Sequence, residues 1–130
     1  MVNTRLLMVF SAVLMGIVGI SLSFLPQELA EVIFNQSEGW AVLVLQILGA
    51  QYVAFGMINW MAKDNLIGGI YSKPVAMGNF LHFAISSLAL VKAAAVQHTG
   101  YWIVTAIYVI LACIFGYVFF THPTKNASKS

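Results

Sequence analysis

Trp40-Ala-Val-Leu-Val-Leu-Gln46-Ile-Leu-Gly49-Ala-Gln51-Tyr-Val-Ala-Phe-Gly56-Met-Ile-Asn59-Trp60-Met-Ala62 is a run of 23 residues without one charged side chain. An α-helix rises about 1.5 Å per residue, and about 20 apolar residues cross the ~30 Å hydrocarbon core of a bilayer. Backbone amides have no water to bond with in lipid, so such a run must close its hydrogen bonds internally, as a helix. Three further runs have the same character: residues 6–25, 74–96 and 101–120. Together the four runs predict an all-α membrane protein, a four-transmembrane-helix antiparallel bundle. It forms a single domain over residues 1–121, followed by a polar, flexible tail over 122–130.

Composition agrees. Hydrophobic residues make up 61% of the 130 residues and charged residues 8%, against about 25% charged in soluble domains. A net charge of +2 without any Lys/Arg cluster excludes nucleic acid as a partner. Cys113 is the only cysteine, which excludes an internal disulfide, a C-x-x-C redox pair and a cysteine-based metal site. Deep in the fourth run, it reads as a small apolar residue. Arg5 before an apolar run and Ser21-Leu-Ser23 after it resemble a signal peptide. The run is longer than a typical signal core, and an uncleaved first span is the expectation.

Charge sets the orientation. The N-terminus, the 63–73 loop and the tail share one side, with Arg5, Lys63, Lys73, Lys125 and Lys129 against Asp64 alone. The opposite side carries Glu28, Glu31 and Glu38. Lys and Arg are retained in the cytoplasm, so both termini are expected there, in the inner (plasma) membrane. Trp40, Trp60 and Trp102 mark the headgroup level as interface anchors. Lys92 reads as a fourth anchor, about one turn inside the outer end of the third span and able to snorkel outward. A salt bridge from Lys92 to Glu28, Glu31 or Glu38 is a second option.

The first outer connection, Pro26-Gln-Glu-Leu-Ala-Glu-Val-Ile-Phe34, opens with a proline suited to a first helical position. Leu29, Val32 and Ile33 fall to one side and Glu28 and Glu31 to the other, which predicts a short interfacial helix in the first external loop. Gly68-Gly69 suits a tight turn and Pro74 the first turn of the third span. Lys63 and Lys73 are placed to meet lipid headgroups.

Small residues line three stripes: Ala12, Gly16, Gly19 and Ser23; Gly49 and Gly56, on the same side as Gln46 and Val53; and Thr105, Ala112 and Gly116. In lipid such stripes let helices approach closely, as seams within one chain or as an oligomer interface.

Any site must lie among the polar residues of the spans: Gln46, Gln51, Asn59, Asn79, His82 and Ser86, with Ser87 beside them. Buried polar groups need partners or a water-filled cavity. Asn79, His82 and Ser86 share a face by their three-four spacing, a candidate ligand or solute pathway. His82 sits ~12 Å from the inner end of its span and Gln51 ~16 Å from the outer end of its own, which makes a Gln51–His82 contact feasible. His82 acting as a proton relay stands against His82 as neutral interhelical glue, and no carboxylate lies within the spans to pair with it. With His98 and His122 at opposite ends, no three-histidine metal site is expected, nor any cofactor or catalytic residue.

Gly16 and Gly19, the Phe24-Leu-Pro26 exit, Leu48-Gly-Ala-Gln-Tyr-Val-Ala-Phe-Gly56 and Asn59-Trp60 together resemble small bacterial four-span membrane proteins of the DoxX-like type. The resemblance covers roughly the first ninety residues. It implies a four-helix bundle and an accessory role beside redox enzymes, and it offers no catalytic motif to carry over. The expected function is therefore a non-catalytic accessory or structural subunit of a membrane assembly, with the lipid bilayer, further copies of the chain or other membrane subunits as partners. Two alternatives stand: an oligomeric channel or transporter for a small solute or proton, and a membrane-embedded binding protein or enzyme for a lipid-soluble molecule.

Overall fold

The computed structural model describes residues 2–35, 37, 39–93 and 99–121. They form five α-helices, α1 Thr4–Phe24, α2 Pro26–Phe34, α3 Trp40–Ala62, α4 Lys73–Lys92 and α5 Thr99–Phe120, with a 3₁₀ turn at Ile70–Ser72 and no strand among the described residues. Four of them are long and apolar enough to cross a membrane: α1, α3, α4 with its preceding turn, and α5. The chain divides into two compact units: Leu6–Lys63, and the residues from Asp64 onward together with those up to Arg5.

The first unit is a helical hairpin with α2 packed onto it. α1 and α3 run antiparallel, and small residues set their separation. A Cβ built on Gly19 would lie 2.6 Å from the Val53 amide nitrogen and 2.9 Å from the Gly49 carbonyl. One built on Gly49 would lie 2.8 Å from the Ser23 nitrogen and 2.9 Å from the Gly19 carbonyl. The two backbones meet with no room for a methyl group, the close approach that lipid-embedded helices use in place of hydrophobic attraction. Nearer the other end, Gly56 faces the Ala12 carbonyl and the Gly16 nitrogen at 3.1 and 3.2 Å from its built Cβ.

α2 starts with Pro26 at its first positions and ends on Asn35 in the left-handed region (φ 54°), whose N–H bonds the Ala30 and Glu31 carbonyls. Its buried edge differs from expectation. Ala30 is fully buried against Leu22 and Leu45, with Leu29 packed beside it, whereas Val32 and Ile33 are 81% and 56% exposed. Only the small Ala30 lets this helix sit directly on the large apolar side chains beneath it, and that choice rotates Val32 and Ile33 outward.

The second unit pairs α4 with α5, also antiparallel. Phe83 and Phe115, both fully buried, stack with centroids 5.7 Å apart, and Phe83 meets Tyr108 edge-on at 5.3 Å. At one end the Phe80 ring lies 3.0 Å from a Cβ built on Gly116, and the Lys73 ammonium stands 5.6 Å over the Phe119 ring. At the other end the Tyr101 hydroxyl donates to the Leu90 carbonyl. Before α4, Gly68 adopts φ +95°, open to glycine at no steric cost. Arg5 and Asp64, both exposed, form an ion pair at 3.2 Å.

Three helix boundaries differ from the expected runs by two residues or more. α1 begins at Thr4 and α5 at Thr99, each two residues earlier than expected. α4 ends at Lys92 with Ala93 as its cap, short of the expected residue 96, and residues 94–96 lie outside the described residues. Lys92 is thus the last residue of its helix rather than one turn inside it, where its charge complements the negative end of the helix dipole. The tail 122–130, which includes His122, as well as Glu38 and residues 97 and 98 of the 97–100 turn, also lie outside the described residues.

Candidate functional site

Within each unit, the buried polar residues of the spans close their hydrogen bonds near at hand. Asn59, fully buried near the end of α3, donates through Nδ2 to Ser11 Oγ at 3.1 Å and to Met15 Sδ at 3.6 Å. Ser11 in turn donates to the Met8 carbonyl at 3.1 Å. The hydroxyl accepts from one helix while donating within its own, a short chain in which each bond polarises the next. This network belongs wholly to the first unit and ties α3 to α1. Sequence reasoning singled out Asn59 but missed Ser11 and Met15. The signal was present in Ser11, a polar residue in the first span within ~3 Å of the depth of Asn59 when both are counted from the ends of their apolar runs, residues 6 and 62.

In α4, Asn79 is fully buried and donates to the Val75 carbonyl one turn back at 2.9 Å. Ser87, also buried, bonds the Ala84 carbonyl at 2.9 Å, and in α5 Thr105 bonds the Tyr101 carbonyl at 2.9 Å. Each closes a bond within its own helix, the usual way in which short polar side chains are satisfied there. His82 is half-buried, its ring 5.0 Å from Phe83 edge-on and 6.0 Å from Tyr108. It therefore borders the aromatic core of the second unit. Ser86 is half-buried on the same flank.

Gln46 and Gln51 behave differently. Both are exposed. By helical geometry Gln46 stands about 60° from Gly49 and about 80° from Gly56, at the outer edge of their side. Gln51 belongs to the first unit and His82 to the second. Trp40, Trp60 and Trp102 are exposed by 79%, 46% and 46%.

A groove of about 320 Å³ runs along the surface of the first unit. Ala12, Gly16 and Gly56 form its floor, and Val13, Ile20, Val53, Met57 and Trp60 its rims. A Cβ built on Gly16 meets nothing within 4 Å, so the missing side chain is what keeps the groove open. Trp60 closes one end, with the Lys63 ammonium 4.5 Å above its ring and 3.2 Å from its carbonyl. In the second unit a hollow of about 380 Å³ lies in the loop before α4, between Asn65, Leu66, Gly69 and Ser72.

Among the described residues no group of three His, Cys, Asp or Glu side chains is arranged to hold a metal ion. Cys113 is a free thiol on the exposed side of α5. No protein family, curated protein or solved structure matches the chain.

Proposed function

We propose that this chain is a multi-pass inner-membrane protein serving as a non-catalytic accessory or structural subunit of a membrane assembly. The observation that carries this reading is where the buried polar groups spend their hydrogen bonds. Asn59, Ser11, Asn79, Ser87 and Thr105 all close bonds within a helix or hairpin. They are built into the packing, whereas a catalytic or transport site needs polar groups converging on a shared space. Gln46 and Gln51 are the exception, two exposed amides on a membrane-length helix. Amides in hydrocarbon favour partners on another helix, which suits a subunit that assembles with copies of itself or with other membrane proteins. The resemblance to DoxX-like proteins points the same way.

In this reading both termini are cytoplasmic, because the bases at residues 5, 63, 73, 125 and 129 lie on their side. The four spans form one antiparallel bundle. α2 lies in the outer interface with Val32 and Ile33 turned toward lipid.

The half-buried His82 and Ser86 beside Asn79 favour a second reading, an oligomeric proton or solute pathway. Proton flux into sealed vesicles containing the purified protein separates the two. The subunit reading predicts a leak equal to that of protein-free vesicles. A leak that rises with protein and is abolished by His82→Ala would overturn it.

A further inference from the structure

The groove between α1 and α3 has a shape, length and charge that a packing seam does not require. From Ala12 to Ile20 it extends about 12 Å along α1, and from Val53 to Trp60 about 10 Å along α3. That is most of one leaflet, half of a ~30 Å core. Its lining side chains are apolar apart from the indole of Trp60, a residue suited to the headgroup level. Beyond that ring stands a cation, Lys63, held over the indole face at 4.5 Å and against its backbone carbonyl at 3.2 Å. We propose that the groove binds one anionic phospholipid of the bilayer, an acyl chain lying over Gly16 and the phosphate meeting Lys63.

Three features select this occupant. The first is width. α1 and α3 are in close backbone contact at Gly19, Gly49 and Gly56, which leaves above Gly16 an apolar furrow that a flexible methylene chain can follow. The second is depth, since the groove starts at the tryptophan that marks the interface and runs inward for about the length of a leaflet. The third is charge: an ammonium fixed at the mouth selects a lipid whose phosphate carries net negative charge over a zwitterionic one. Trp60 joins the two parts of the site, lining the groove and carrying the cation over its ring.

The test follows Trp60 fluorescence in a full-length protein whose other tryptophans are removed by Trp40→Phe and Trp102→Phe. Phosphatidylcholine vesicles contain either phosphatidylglycerol brominated along its acyl chains or the same fraction of brominated phosphatidylcholine. Bromine quenches indole on contact. The expected result is stronger quenching by the anionic lipid. Lys63→Gln lowers that preference about five-fold, the effect of one charge at an anionic surface. Gly16→Leu fills the groove and removes quenching by both lipids beyond the level of a freely exposed indole. Lys63 lies at a helix end outside the packed seam, so its variant keeps the test decisive even where Gly16→Leu fails to fold. Equal quenching by the two lipids, or a preference unchanged in Lys63→Gln, would overturn the proposal. So would a Gly16→Cys, Cys113→Ala protein that forms a disulfide-linked dimer in high yield, since the groove would then hold a second copy.

Discussion

Replacing Gly49 with alanine adds one methyl group where the structure leaves no space for it. The added carbon would stand 2.5 Å from Ser23 Oγ, 2.8 Å from the Ser23 nitrogen and 2.9 Å from the Gly19 carbonyl. The hydroxyl can rotate away, but the two backbone atoms cannot. Carbon contacts are at ease from about 3.5 Å, so α1 and α3 must separate by roughly half an ångström or more along this seam. Overpacking of that kind costs about 1–3 kcal/mol. The same substitution at Gly16 meets nothing within 4 Å. There alanine only removes glycine's backbone freedom, worth up to about 1 kcal/mol in favour of the helix. One chemical change, made at Gly16 in α1 or at Gly49 in α3, should therefore move stability in opposite directions. Reversible unfolding by titrating SDS into mild-detergent micelles, followed by tryptophan emission, reads the difference. Gly49→Ala should unfold at a lower SDS fraction than the wild type, and Gly16→Ala at an equal or higher one. If Gly49→Ala were as stable as the wild type, or both variants shifted alike, the close-contact account of this hairpin would be refuted.

Further outcomes follow from other contacts. A double-mutant cycle with Ser11→Ala and Asn59→Ala should give a coupling of about 0.5–1.7 kcal/mol, the range for interhelical hydrogen bonds in membranes, and additive effects would remove the Asn59–Ser11 bond from the account. Phe83→Ala empties the centre of the α4–α5 core and should cost about 3–5 kcal/mol in the same SDS titration, far more than Ile85→Ala at a 63% exposed position. For orientation, cysteines introduced at Ser37 and Ser130 in a Cys113→Ala background should react with an impermeant maleimide from opposite faces of intact cells, Ser37 from outside. Labelling of both from one face would overturn the assignment of the termini.

Hydropathy made the spans legible because lipid demands it: α3 begins at Trp40 and ends at Ala62, as the apolar run does. Pro26, Gly68 and Pro74 marked their turns because their backbone restrictions are local. What could not be read was facing. In water a helix declares its buried side by where its polar residues stop, but in lipid the outside is as apolar as the inside. Asn59 is therefore fully buried while Gln46 and Gln51, with the same amide chemistry on the same helix, are exposed. Small residues were the better guide. Gly19 and Gly49 lie at the α1–α3 seam and Gly116 against Phe80, since only close approach explains them, although Gly16 opens onto a groove that its place in the same stripe did not reveal. The partners of Asn59 lie 44 and 48 residues away, a distance over which spacing rules carry no information.

The central claim, that the chain is a subunit rather than a catalyst or carrier, is tested most directly by native mass spectrometry of the protein released gently from its own membrane. The account predicts a discrete assembly of fixed stoichiometry, of this chain with copies of itself or with a second polypeptide, dissociating when Gln46 and Gln51 are both replaced by leucine. A single chain carrying one defined metabolite mass and no protein partner would contradict it.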